Sequence, residues 1–423
     1  MTGVRDGLVK RGATWSYVIR VTDPTTGKSR PRWVGGFPTE KAAKKARDEA
    51  RVKAARGEYV DRSRMTLAQY LPQWLDMHAV EIKPQTLAGY RDLLDRYVVP
   101  SIGHQRVQAL QPAMFTKLDR DLLDTGGVRG QGLSRRTVDY VHAILRKALN
   151  DAVRVDQVLT SNPVDRAMRP RREPLGPRTV WSGDELSAFL AVAEQHRLFP
   201  FFRLAAFSGG RRGELLNLRW PDVDLDASRI RIRGTTAVIA GVRVEGTTKG
   251  GRERTVTLDA GTVAVLRAHR ARQNADRLVA GPDWAPGNLV FTRNLGLPIY
   301  PDTVSQLVPR FIEQYNSPRE GSAPAVPLPH ARLHDLRHVH ATILLLAGVP
   351  VHVVAARLGH ADPSITLRVY AHVLHEDAVR VADVFASAML PTGARLSGAV
   401  SKSVSKDADP DTENPARSSR AGL

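Results

Sequence analysis

The chain of 423 residues contains no cysteine, which excludes disulfides, thiolate metal sites and a cysteine nucleophile and fits a reducing compartment. It also lacks long apolar runs. No stretch approaches the roughly 18 apolar residues of a membrane-spanning helix, and Met1 to Asp6 show no apolar core of a secretion signal. A cytoplasmic protein that is neither exported nor anchored is therefore expected. Three further patterns are missing: a glycine-rich loop that cradles nucleotide phosphates, a zinc-ligand spacing and a cluster of carboxylates. Acidic residues are in deficit, 43 Asp and Glu against 62 Lys and Arg, for a net charge of +19.

That imbalance points to nucleic acid, because lysine and arginine displace condensed counterions from phosphates. An apolar share of 42% is enough for ordinary cores, and the length predicts two to three domains. The charge is concentrated at the start. Residues 1–64 hold sixteen Lys or Arg against seven Asp or Glu. Within them Trp15, Tyr17, Ile19 and Val21 alternate as on one face of a strand, Asp23 to Gly27 reads as a turn, and a second strand runs through Arg30, Arg32 and Val34 to Phe37. Thr39 is the expected cap of a helix from Glu40 to Arg56. The prediction is a small sheet buttressed by one helix, with Arg20, Arg30 and Arg32 on its polar face, a shape that suits the major groove of DNA.

Residues 65–165 read as wholly helical. Leu67, Tyr70, Leu71, Trp74 and Leu75 recur at helical spacing, as do Leu87, Tyr90, Leu93, Leu94 and Tyr97, and Ser134 caps a helix carrying Val138, Val141, Leu145, Leu149 and Val153. These aromatics read as core. The stretch from Asn162 through Arg166, Arg169, Arg171 and Arg172 is neither periodic nor apolar and reads as an extended basic linker, placed at residues 166–178. A larger mixed domain follows over residues 179–390. It opens with the capping box Ser182–Glu185 and helical segments at Phe201–Phe207 and Arg211–Leu218. Strands are expected around 229–233, 236–244 and 252–258, with a turn at Thr247–Gly251 and a mostly helical remainder supported at Val339, Ile343, Leu344 and Leu346. The tail, residues 391–423, is rich in Ser, Asp and Lys and is expected to be disordered.

The chemistry-bearing residues are spread along this third domain. His334 and Arg337 stand three apart at a helix start, where an imidazole and a guanidinium suit a phosphate: arginine clamps oxygens while histidine moves a proton. Arg211 follows two glycines at another helix start, with Glu214 able to buttress it. Lys249 lies in the glycine-rich turn, placed to donate a proton to a leaving oxygen. Asp362 and Pro363 open a helix bearing Thr366 and Tyr370. A phenol with a pKa of about 10 needs neighbouring cations and a base before it can attack. Each pattern is weak alone. The joint order Arg, Lys, His-x-x-Arg, His, Tyr is not.

In that order the segments resemble the tyrosine recombinases, particularly the integrases of phages and mobile elements. Gly209-Gly210-Arg211-Arg212-Gly213-Glu214-Leu215 resembles the first arginine box. Thr248-Lys249-Gly250-Gly251-Arg252-Glu253-Arg254-Thr255-Val256 is similar to the lysine hairpin, and His334-Asp335-Leu336-Arg337-His338 to the second box. Leu358-Gly359-His360 and Tyr370 complete the set. The resemblance implies a multidomain, mainly α fold with small β-sheets: an arm-type DNA-binding domain at residues 1–64, a helical core-binding domain at 65–165 and a mixed α+β catalytic domain. It implies Tyr370 as the nucleophile forming a 3′-phosphotyrosine, with Arg211, Arg337 and His360 on the non-bridging oxygens. Lys249 is implied as the acid, His334 as a proton-transfer aid, and Glu214 and Asp335 as supports. Neither metal nor cofactor is implied. Arg20, Arg30, Arg32, Arg169, Arg171 and Arg172 are candidate DNA contacts. Implied partners are core and arm attachment sites, three further copies of the chain, a directionality factor and a DNA-bending protein. A helix over 375–389, with Val379, Val381, Val384 and Phe385 as contacts, would dock on a neighbour. Competing readings are a DNA-binding regulator that no longer cuts, a Xer-like resolvase and a type I-B topoisomerase.

Overall fold

Alternation of apolar and polar residues builds the first sheet. In the computed structural model, which describes residues 7–22, 28–55, 59–127, 130–169, 180–248, 251–317 and 326–360 with Asp362, Ser364 and Leu367, strands β1 (Leu8–Arg11), β2 (Thr14–Thr22) and β3 (Ser29–Phe37) pair antiparallel in that order. Leu8, Tyr17, Ile19 and Val34 form one face and bury against Ala43 and Ala50 of helix α1 (Glu40–Ala55). Thr39 caps that helix, its Oγ1 accepting the Ala42 N–H at 3.2 Å. β1 has no apolar alternation of its own and was not anticipated. The register also divides the three arginines expected on one polar face. Arg20 pairs with Pro31, whereas Arg32 pairs with Ile19 and Arg30 with Val21. Cross-strand partners share a face, so Arg30 and Arg32 lie on the helix side and Arg20 on the outer side. Arg32 is held by Asp61 at 3.0 Å.

The helical segment comprises α2 (Leu67–His78), α3 (Pro84–Leu93), α4 (Val99–Ile102), α5 (Pro112–Thr125) and α6 (Arg135–Arg154). Between α3 and α4 the helix widens into a π-turn over Leu94–Val98, just before Pro100, whose ring and missing N–H disrupt regular α-helical bonding. Tyr70 and Trp74 are core, as expected. The Tyr70 hydroxyl donates to Ala148 O at 3.0 Å and to Asp156 Oδ2 at 2.7 Å, and Trp74 Nε1 donates to Asp151 Oδ2 at 2.8 Å. The expected extended stretch begins later than Asn162. Asn162 Oδ1 caps a short 3-10 turn, Pro163–Arg166, and Val164 is buried in the helical core. The buried valine, the asparagine cap and the Arg146–Asp165 pair at 2.6 Å hold these residues on the bundle.

By internal contacts the chain divides into two units, residues 1–179 with 235–246 and residues 180–234 with 247–423. The second opens with α7 (Gly183–Glu194), whose Ser182–Glu185 capping box forms as expected, followed by α8 (Phe199–Ser208) and α9 (Arg212–Leu216). Strands β4 (Val223–Asp224) and β5 (Arg229–Ile232) are followed in the chain by a hairpin of β6 (Gly234–Ile239) and β7 (Val242–Thr247), whose residues 235–246 group with the first unit, and then by β8 (Arg254–Thr257), which pairs with β5. The single strand expected over 236–244 is this hairpin. Ala240 and Gly241 both take positive φ, 48° and 79°, as a tight two-residue turn requires. Helices α10 (Ala260–Ala280), α11 (Pro301–Asn316), α12 (Asp335–Leu346) and α13 (Val351–Leu358) complete the unit.

Residues 281–299, expected helical, instead form two 3-10 turns and isolated bridges, because Gly281, Pro282, Pro286, Gly287 and Gly296 interrupt helical bonding. On α12, Leu336, Val339 and Leu345 face the core, while Ile343 and Leu346 are exposed. No helix among the described residues is long and apolar enough to cross a membrane. The turn at 23–27, Lys249, Arg171, Arg172, Tyr370, the helix expected over 375–389 and the tail 391–423 lie outside the described residues.

Candidate active site

Helix α8 ends because Gly209 turns left-handed, with φ 64°. The position admits no side chain. An added Cβ would stand 2.6 Å from Leu358 Cδ2 and 2.8 Å from His340 Cδ2. Gly210 is equally confined, its Cβ direction 2.6 Å from Leu215 Cδ2. The two glycines thus let the backbone turn tightly and deliver Arg211 as the cap residue of α9.

Arg211 is held from both sides. Its Nη1 donates to Glu214 Oε1 at 2.8 Å and its backbone N–H to Glu214 Oε2 at 2.9 Å, while Nη2 reaches Gly359 O at 3.3 Å. Glu214 is buried and also receives Arg254, from Nη1 at 3.1 Å and Nη2 at 2.6 Å. Burial alone pushes this carboxyl up. The Arg254 bonds and charge, aided by Arg211, outweigh burial and hold it down at about 2. Arg254 lies in the segment that resembles the lysine hairpin, but the sequence reading gives it no role. A signal was present: it opens β8 in alternation with buried Val256, so its side chain shares the inward face, and an inward arginine requires a partner.

Arg337 projects from the first turn of α12 and is buried, its relative exposure 4%. Nη1 donates to Gly209 O at 2.7 Å, and Nη2 lies 2.8 Å from His360 Nε2. His360 follows Gly359, whose φ of 71° ends α13. Burial and then the charges of Arg337, Arg211 and Arg254 lower its pKa to about 4. His334 precedes α12 with its ring edge-on to His338, centroids 5.1 Å apart. Burial, then His338 and Arg337, lowers its pKa to about 4 as well. Asp335 Oδ2 accepts the Arg332 N–H at 2.8 Å, and its charge, opposing burial, pulls the His334 pKa up.

The fold therefore brings together Arg211, Glu214, Arg337 and His360, with His334 at the start of the same helix as Arg337. Flanking the position of Lys249, Gly251 N–H donates to Thr248 O at 3.0 Å and Thr248 Oγ1 to Arg252 O at 2.7 Å. Asp362 Oδ1 accepts the Ser364 N–H at 2.8 Å. Away from this cluster, Arg169 pairs with Asp139 at 3.2 Å.

Two fixed guanidiniums and two neutral imidazoles, with the nearby carboxylate already committed to arginines, make a site for stabilising an oxyanion of phosphorus. Such a constellation suits phosphoryl or strand transfer. The phage integrase family profile matches residues 180–377, an arm DNA-binding domain profile matches 8–54, and the N-terminal SAM-like domain profile of phage integrases matches 66–120. The chain belongs to the phage integrase family of tyrosine recombinases. A XerC-like tyrosine recombinase of Caldanaerobacter subterraneus subsp. tengcongensis is 26% identical over 356 residues, covering 79% of this chain and 86% of that protein. The ICEBs1 integrase of Bacillus subtilis is 24% identical over 389 residues, covering 89% and 98%. Among solved structures, the Tn1549 transposon integrase in complex with transposon right end DNA shares the fold at a TM-score of 0.62 and 18% identity, over 75% of this chain and 100% of that one. A lambda integrase tetramer bound to a Holliday junction does so at 0.51 and 18%, over 86% and 94%.

Proposed function

We propose that this protein is a site-specific DNA integrase that cuts and rejoins DNA through Tyr370. The observation that carries the proposal is the convergence of Arg337 and His360, 2.8 Å apart, with Arg211 bonded to the residue before His360. In this reading the Tyr370 phenolic oxygen attacks the scissile phosphorus. The bond from phosphorus to the 5′-oxygen breaks, and a 3′-phosphotyrosine forms. Arg211, Arg337 and His360 bind the non-bridging oxygens, where negative charge grows in the transition state. The leaving 5′-oxygen takes a proton from Lys249, and His334 assists transfer of the phenolic proton. Attack of a 5′-hydroxyl from a second strand on the phosphotyrosine restores the phosphodiester and the tyrosine.

The wider assembly belongs to the same proposal. Residues 1–64 bind arm sites and residues 65–165 help to hold the core site, with Arg20, Arg30, Arg32, Arg169, Arg171 and Arg172 as candidate phosphate contacts. Four copies act on two duplexes in the cytoplasm, assisted by a directionality factor and a DNA-bending protein. A nicked suicide duplex spanning the junction of the element that carries the gene tests the central step. The wild-type chain is expected to trap as a covalent adduct and Tyr370→Phe is not. An adduct that survives the substitution refutes the assignment.

A further inference from the structure

Resting on that reading of the site, we infer that Arg357 and His340, neither of which reaches the reacting atoms in it, form a latch. The latch fixes the Arg211 loop against the Gly359–His360 segment, which makes both of them positioning residues for strand cleavage. The argument starts from the end of α8. A helix leaves its last carbonyls without intrahelical partners, and here they are taken by side chains of α12 and α13. Ala206 O accepts from His340. Phe207 O accepts from Arg357 Nη2 at 3.0 Å, and Gly209 O accepts from Arg337 Nη1 at 2.7 Å. Only the last of these side chains belongs to the candidate catalytic set.

Arg357 does more than cap α8. Its Nη2 also donates to Thr257 O at 3.0 Å and its Nη1 to Thr257 Oγ1 at 3.3 Å, both on β8. Its own carbonyl accepts Arg254 Nε at 3.0 Å, and Arg254 grips the same Glu214 that holds Arg211. One residue thereby ties α8, β8 and α13 together, three positions before His360. Arg357 Nε donates to His340 Nε2 at 3.0 Å. That fixes His340 as a neutral ring with its proton on Nδ1, the tautomer able to donate to Ala206 O. The His340 ring and Leu358 then fill the space beside Gly209 where a Cβ would stand. Arg211 and His360 thus approach one phosphate from elements whose mutual placement passes through this pair.

Charge on the substrate separates positioning from general support of the fold. Replacing a non-bridging oxygen of the scissile phosphate by methyl removes the charge that Arg211 and His360 serve. With the full chain and the junction duplex, Arg357→Met is expected to slow single-turnover cleavage of the phosphate substrate about 10–100-fold, the size of effect a misplacement of about 1 Å produces. Core-site binding should change little, and the penalty should largely vanish on the methylphosphonate. Arg357→Lys should recover part of the rate. Arg211→Ala is the control. If its penalty is the same on both substrates, the reading of the site itself fails. If Arg211→Ala is charge-sensitive but Arg357→Met is equally impaired on both substrates, or unimpaired, the latch is refuted. Should Arg357→Met not fold, His340→Gln is put through the same comparison.

Discussion

Arg337 Nη2 stands 2.8 Å from His360 Nε2, and because a guanidinium has only protons to give, the imidazole nitrogen must be accepting. His360 is therefore neutral in the free protein, in accord with its pKa near 4.

A phosphate brought between these groups reverses the local charge. An anion beside His360 favours the protonated ring, so its pKa rises on binding. A pKa raised by binding means proton uptake, and affinity for the core duplex should then increase as pH falls from 7 towards 5. Calorimetry in buffers of different ionisation enthalpy reads the uptake directly. His360→Gln should reduce it. An uptake that is unchanged in that variant assigns the proton to another group.

Glu214 holds two arginines from a buried position, and its carboxyl is kept ionised down to about pH 2. Glu214→Gln keeps the shape and removes the charge, leaving Arg211 and Arg254 uncompensated. Breaking a buried pair in this way typically costs about 3–5 kcal/mol, to be measured by urea denaturation at pH 7. Cleavage should fall as well, because Arg211 loses the partner that orients it. A stability loss within error would show that solvent or other groups satisfy the two guanidiniums.

The order Arg211, His334, Arg337, His360 was legible because each motif sits at a helix terminus, where glycines and capping residues mark the chain. Sheet and helix periodicity likewise exposed the core positions Tyr17, Ile19, Tyr70 and Trp74. What could not be read depends on contacts remote in sequence. Arg254 meets Glu214 across 40 residues and Arg357 meets Phe207 across 150, and no local pattern announces either pairing. The split of Arg20 from Arg30 and Arg32 was hidden for a related reason: strand register, not composition, decides which face a residue occupies.

Three histidines of the catalytic unit, His334, His340 and His360, each have a pKa lowered from 6.5 to about 4, chiefly by burial. Their contribution to stability is complete above pH 6.5 and is lost as pH falls towards 4, because the unfolded chain takes up protons that the folded chain refuses. Unfolding near pH 5 should accordingly bind up to three protons at these three rings alone. Thermal denaturation should show a Tm that declines steadily from pH 6.5 to 4.5, and His340→Gln should make that decline shallower. A Tm independent of pH over this window would contradict the neutral, buried state of these rings.

The N-terminal sheet presents different arginines on its two faces. On the outer side the Arg11 guanidinium lies over the exposed Trp33 ring, 4.9 Å from its centroid, and Arg20 shares that side through its pairing with Pro31. Arg32 is on the helix side and already bonded to Asp61. If the outer face meets the arm sites, Arg20→Ala should weaken arm-site binding and reduce the slope of log affinity against log salt by about 1, the signature of one lost phosphate contact. Arg32→Ala should change the slope less, since its charge is already partly neutralised. Removing residues 1–60 should abolish arm-site footprints while sparing core-site cleavage. A larger effect from Arg32 than from Arg20 would place the DNA on the helix side of the sheet instead.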